Sequence, residues 1–406
     1  MKTKVIATLL FTLTAATVIL YPAANGSSAV KPPQIKPPLF IPSANNPNER
    51  PKVDVVFVLD TTGSMSGMID AAKEKIWSVA TTMASAQPAP EIRVGLVAYR
   101  DRGDAYVTQI TDLSTDLDSM YATLMQFRAD GGGDGPESVN QALHEAVEKL
   151  SWSQNQQAYK VIFLVGDAPP HMDYPGEVQY PATLAAAQQR GIIVNTIQAG
   201  QDNSTARQWQ QIAQLGAGDY FQVEQGGGAL AVESPFDHEL ADLSAKLDDT
   251  RLYYGDAKEK AQQQRKVDAT KKVQEEATPA SLARRATFNT SASGAANLLG
   301  DKELVDDVIS GKVALDKLDN AALPAPLQAM APEEQRKIIQ QTATARQELK
   351  AKIEELSSKR NDYLKKEVDA LGSTAKDNSL DIQLFDTVKK QAEAKGMVYK
   401  ADAPNY

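Results

Sequence analysis

The chain has 406 residues, a net charge of −9, a pI near 5.1 and no cysteine. The acidic balance argues against a nucleic-acid surface or a basic membrane patch, and the absence of cysteine excludes a disulfide framework, a zinc-thiolate site and a cysteine nucleophile. Its three histidines, His144, His171 and His238, are too scattered for a three-histidine metal centre.

At the amino terminus Lys2 and Lys4 precede an apolar run from Val5 to Leu20, followed by small residues at Ala23-Ala24 and Ser27-Ser-Ala29. This pattern predicts an export signal over residues 1–29. The run is shorter than the roughly 20 apolar residues of a spanning helix. Cleavage is therefore preferred to a retained anchor, and membrane attachment follows only if the signal stays uncleaved. The expected location is periplasmic or secreted. Residues 30–50 form a proline-rich tether: Pro32, Pro33, Pro37, Pro38, Pro42 and Pro47 fall there, and Pro51 follows.

From residue 51 to 254 strand and helix patterns alternate. Val53–Leu59 is apolar except for Asp54. Ile69 to Met83 has helical spacing, Ile92–Tyr99 reads as a second strand, and 105–111 as a short edge strand. Leu117–Phe127 is helical, Gly131–Gly133 breaks the chain, and Pro136 opens another helix. Strands follow at Val161–Val165, Gly191–Ile197 and Tyr220–Val223, with helices at 182–190 and 206–215. Phe236–Tyr253 reads as the closing helix. Buried β-branched runs between amphipathic helices predict an α/β fold, a doubly wound, mostly parallel sheet with helices on both faces. Residues 255–406 read as an α-helical carboxyl-terminal region. Its long pattern, Pro332–Leu371, has near-heptad spacing for about three heptads, so coiled coil competes with an antiparallel hairpin packed on the main domain, which is preferred.

Ligands of such sheets bind outside the carboxyl ends of the strands. The first strand ends there in Asp60-Thr-Thr62-Gly-Ser64, one carboxylate and two hydroxyls at alternate positions. Hydroxyls are weak ligands, so further carboxylates are needed. Asp134 in the Gly131–Glu137 loop and Asp167 after the Val161–Val165 strand supply them. Asp60, Thr62, Ser64, Asp134 and Asp167 form a hard oxygen set suited to Mg2+, with Mn2+ or Ca2+ as alternatives. One or two positions remain for water or an incoming acidic side chain. The competing reading of Thr62, Ser64 and Ser66 is plain helix capping.

These residues, with Val94–Asp104 and Gly166-Asp-Ala-Pro-Pro-His171, resemble a von Willebrand factor type A domain of the bacterial exported type, over about residues 51–254. The resemblance implies a metal-ion-dependent adhesion site, with the ion on the top edge of the sheet. It implies recognition of a protein partner through an acidic side chain that completes the metal shell. Many family members carry threonine where Asp134 aligns. With Asp134 the charge is filled internally, unless Gly135 holds that position and Asp134 turns outward.

No catalytic residues and no organic cofactor are assigned. His238-Glu239 lacks the second zincin histidine, Gly63–Gly67 is no nucleophile elbow, and the Gly131–Glu137 loop lacks the Lys-Ser/Thr of a phosphate loop. The expected function is non-enzymatic protein binding. The alternatives are a metal-assisted hydrolase using Asp101, Asp104, Glu137 or His171 as base, and a purely structural metal. Asp101 and Asp104 are expected to support the metal ligands or lie at the surface, shaping the loop and pairing with Arg100 or Arg102. Glu137 is expected as a helix-start carboxylate, and His171 as a loop histidine.

Overall fold

The computed structural model describes residues 50–133, 135–226, 233–370 and 380–399. The predicted signal, the tether up to residue 49 and Asp134 lie outside them. Six strands form one sheet: β1 Lys52–Asp60, β2 Glu91–Tyr99, β3 Thr108–Ser114, β4 Tyr159–Gly166, β5 Ile192–Ala199 and β6 Ala217–Val223, in the order β3-β2-β1-β4-β5-β6. All neighbours are parallel except β3, which pairs antiparallel with β2 at the edge. The chain runs outward from β1 in one direction and then returns to start β4 on its other side. The crevice at the carboxyl ends of β1 and β4 is thus the topological switch point, where a doubly wound sheet receives ligands.

Both faces of β1 are apolar because both are covered. Val53, Val55 and Leu59 point into one core, while Val56 and Val58 point into the other, as a period of two requires. The first face carries α1 Ser66–Ala84 and α2 Leu117–Leu124. The second carries α3 Val139–Glu148, α4 Tyr180–Gln189 and α5 Asn203–Leu215. The α3 helix begins after the expected Pro136. Glu137 N donates to the Pro169 carbonyl at 2.9 Å and Ser138 N to the Arg100 carbonyl at 3.3 Å, so these residues are tied to neighbouring strand ends before the helix starts.

Beyond β6 follow α6 Asp237–Asp248, α7 Ala257–Glu276, α8 Pro279–Thr290, α9 Ala295–Leu299, α10 Leu304–Ile309, α11 Ala325–Gln328, α12 Pro332–Ala370 and α13 Leu380–Glu393. At 39 residues, α12 is about 58 Å long. It packs Ile353 and Leu356 against Leu240, Leu243 and Leu247 of α6 and Ala283 and Ala286 of α8. The helix after Phe236 therefore joins mainly the helical region. The sheet's first face instead takes Leu384, Phe385, Val388 and Ala392 of α13 into its core, with Met397 and Tyr399. Gln391 Nε2 donates to Asn195 Oδ1 at 2.9 Å, and Gln87 and Val398 exchange backbone hydrogen bonds of 2.8 and 2.9 Å.

Candidate cation site at the carboxyl edge of the sheet

Asp60 is the last residue of β1 and is fully buried. Its Oδ1 accepts hydrogen bonds from Thr62 N at 2.8 Å and Thr62 Oγ1 at 2.7 Å. Thr62 Oγ1 in turn lies 3.4 Å from Ser64 Oγ. Thr62 sits at a helix start yet makes no side-chain cap; its hydroxyl is committed to Asp60. Asp60 Oδ2 is buried without a hydrogen-bond partner. Gly166 of the adjacent strand leaves room for this carboxylate, since a Cβ there would lie 3.1 Å from Asp60 Oδ2.

Asp167 follows β4 directly and faces the same crevice. Its carboxylate shares a donor with the Ser64 carbonyl: Gln225 Nε2 reaches Asp167 Oδ2 at 2.6 Å and Ser64 O at 3.1 Å. The structure thus gathers Asp60, Thr62, Ser64 and Asp167. From the glycine-rich loop, where Asp134 lies outside the described residues, Glu137 reaches them. Glu137, expected at a helix start, is 4% exposed with Oε2 unpartnered. Gly132 fits between it and Thr62 with φ +71°, where a Cβ would stand 2.7 Å from the Thr62 Cβ and 3.2 Å from Glu137 Oε1.

The electrostatics follow from burial of like charges. Burial, reinforced by the nearby Asp167 charge and opposed by the Thr62 hydrogen bonds, pushes the Asp60 carboxyl up to about 7. Burial, then the charges of Asp60, Asp101, Asp104 and Asp167, pushes Glu137 up to about 9. Carboxyls so placed are held as ions only if a cation balances them. Two orphaned carboxylate oxygens and two adjacent hydroxyls are hard donors, and they fit a small divalent ion by chemistry. Among the described residues, no three His, Asp or Glu side chains form a group able to hold a metal by themselves.

Asp101 and Asp104 shape the loops as expected, but through hydrogen bonds rather than through Arg100 or Arg102. Asp104 Oδ2 accepts from Asp101 N at 3.1 Å and Gly132 N at 3.1 Å. Asp101 accepts from Ser138 Oγ at 2.8 Å and Tyr174 OH at 2.7 Å. Arg100 is drawn inward to the carbonyls of Thr61 and Arg128, while Arg102 pairs with Glu177 and lies 3.9 Å over the Tyr174 ring. His171 also stacks on the Tyr174 ring, 3.9 Å between centroids, with Nδ1 2.8 Å from Asp173 Oδ1.

Residues 54–234 match the family model of the von Willebrand factor A domain. The fold is correspondingly von Willebrand factor A-like, a mostly parallel six-stranded sheet flanked by helices, followed by a helical region. Domains of this family are typically non-enzymatic protein-interaction modules. A putative ariadne-like RING finger protein of Acanthamoeba polyphaga mimivirus is 25% identical over 119 residues, covering 29% of this chain and 11% of that protein. The alpha-protein kinase vwkA of Dictyostelium discoideum is 28% identical over 120 residues, covering 29% and 19%. The matches span less than a fifth of either relative's length. Similar solved structures include a von Willebrand factor type A protein from Catenulispora acidiphila, at 16% identity and TM-score 0.34 over 43% of this chain and 39% of that one. Another is proximal thread matrix protein 1 from the mussel byssus with a zinc-occupied metal site, at 14% identity and TM-score 0.34 over 43% and 42%.

Proposed function

We propose that the protein is an exported, non-enzymatic binding module that holds a divalent cation and docks a protein partner at it. The observation that carries this reading is the pair of buried, unpartnered carboxylate oxygens, Asp60 Oδ2 and Glu137 Oε2, beside Thr62, Ser64 and Asp167. Mg2+ is the first choice of ion and Mn2+ or Ca2+ the alternatives. Asp60, Thr62, Ser64 and Asp167 hold it, and the glycine-rich loop supplies the remaining charge through Glu137 or Asp134. Bound there, the ion supplies an open coordination position for a partner's acidic side chain. The crowding of acidic groups around the crevice disfavours nucleic acid.

Titration calorimetry with Mg2+ on the metal-free chain tests the site: saturable binding to wild type, lost in Asp60→Ala and at least tenfold weaker in Asp167→Ala. The interaction is tested by pull-down from an envelope extract in Mg2+, with release by EDTA. Equal partner retention by wild type and Asp60→Ala, before and after chelation, contradicts the reading. Export is tested by fractionation and amino-terminal sequencing, with mature protein expected to start near residue 30. Among the described residues, no helix is long and apolar enough to cross a membrane.

A further inference from the structure

One side chain outside the expected ligand set reaches the crevice. Gln225, in the turn after β6, donates from Nε2 to both Asp167 Oδ2 and the Ser64 carbonyl, at 2.6 and 3.1 Å. The side chain is exposed, yet backbone builds its position from two sides. Gly200 has φ +77°, and a Cβ there would collide with Gln225 Oε1. Gly67, at the start of α1, passes the turn so closely that its Cβ would lie 3.0 Å from the Gly226 Cα. The stem of the turn is also fixed. Gly200 N donates to the Val223 carbonyl at 2.9 Å, and Gln222 Nε2 donates to the Gly200 carbonyl at 2.9 Å.

The chemistry of a carboxamide suits this place. It is a neutral donor, so it engages one Asp167 oxygen without cancelling the charge. The amide brings no opposing charge to the aspartate and engages only one of its oxygens. A lysine would make the same hydrogen bond and neutralise the ligand. The same amide also ties the loop that bears the hydroxyls to the loop that bears the carboxylate. Groups that orient metal ligands in this way are worth about 10–100-fold in metal affinity.

We propose that Gln225 is a positioning residue of the cation site, presetting Asp167 against Ser64, with Gly200 keeping the space its amide needs. This rests on the cation reading above. The test is Mg2+ titration calorimetry on the full metal-free chain, with melting curves in EDTA and in Mg2+. Gln225→Ala should bind Mg2+ about tenfold more weakly than wild type, and Gln225→Lys more weakly still. Gly200→Ala should weaken binding similarly, and the double variant no further than Gln225→Ala alone, since both act through one contact. In EDTA, Gln225→Ala should melt with wild type, while its Mg2+-induced rise shrinks. Wild-type affinity in Gln225→Ala, with binding abolished in Asp60→Ala, overturns this inference alone. So does a lower melting point in EDTA with unchanged affinity, which marks a structural role. No saturable binding to wild type removes both the cation reading and the inference.

Discussion

Asp60 and Glu137 show how one residue's chemistry is decided by its surroundings. Each is an ordinary carboxylate in sequence, and each is buried beside others of like charge. Without a cation, that proximity destabilises the fold. Glu137→Gln keeps the shape and removes a carboxyl that, pushed up to about 9, must take up a proton to stay buried without a cation. It should therefore unfold at higher urea than wild type in EDTA, and bind Mg2+ at least tenfold more weakly. Lower stability in EDTA would mean that Glu137 is needed there for its charge alone. Asp60, Thr62 and Ser64 were legible because their spacing is local, and a strand end followed by a tight turn brings alternate side chains together. Glu137 was legible only as a helix-start carboxylate or a candidate base, not as a group facing the cation. Its approach depends on backbone hydrogen bonds to Pro169 and from Ser138 to Arg100, contacts between segments far apart in sequence.

Among the elements, α13 has the most unexpected role. The sequence places it only within an α-helical carboxyl-terminal region, yet Leu384 and Phe385, 6% and 2% exposed, sit in the same core as Val55 and Phe163. Leu384→Ala and Phe385→Ala should each cost about 2–5 kcal/mol of unfolding free energy, the range for buried large-to-small changes. Denaturant melts followed by circular dichroism would measure this. A cost below about 1 kcal/mol would mean that the sheet does not depend on α13. Strand and helix positions in the α/β region followed well from periodicity, because each element there buries a face its own residues declare. Which helix covers which face did not follow, since two amphipathic helices offer the same pattern.

At the scale of the whole molecule, one guanidinium joins the sheet region to the helices. Arg285 of α8 is fully buried and donates to Asp118 of α2 at 2.6 and 2.7 Å and to Asp248 of α6 at 2.8 and 3.0 Å. Thr270 of α7 adds a hydrogen bond of 2.8 Å to Asp118. Burial alone would raise the Asp118 carboxyl, but the Arg285 charge and hydrogen bonds, helped by Lys266 and Thr270, hold it well below the usual carboxylate range. A carboxyl depressed in the native state gives stability that is complete above its unfolded value, about 3.9, and is lost as pH falls toward the native one. Unfolding should therefore grow easier from about pH 4 downward. Arg285→Ala should cost about 3–5 kcal/mol at neutral pH, because it takes the shared bidentate counter-charge from two buried carboxylates, and should flatten that acid dependence. Urea melts of both proteins from pH 7 to 3 would check it.

The sequence by itself determined the strand and helix alternation, the doubly wound sheet and the cluster of oxygen donors after β1, because periodicity and a short turn are properties of neighbouring residues. Tertiary structure alone decided that Glu137 and Gln225 reach the crevice, that Arg100 and Arg102 take partners other than Asp101 and Asp104, and that α13 packs on the sheet. Those outcomes depend on which distant segments share a face, and burial of apolar surface is blind to order along the chain.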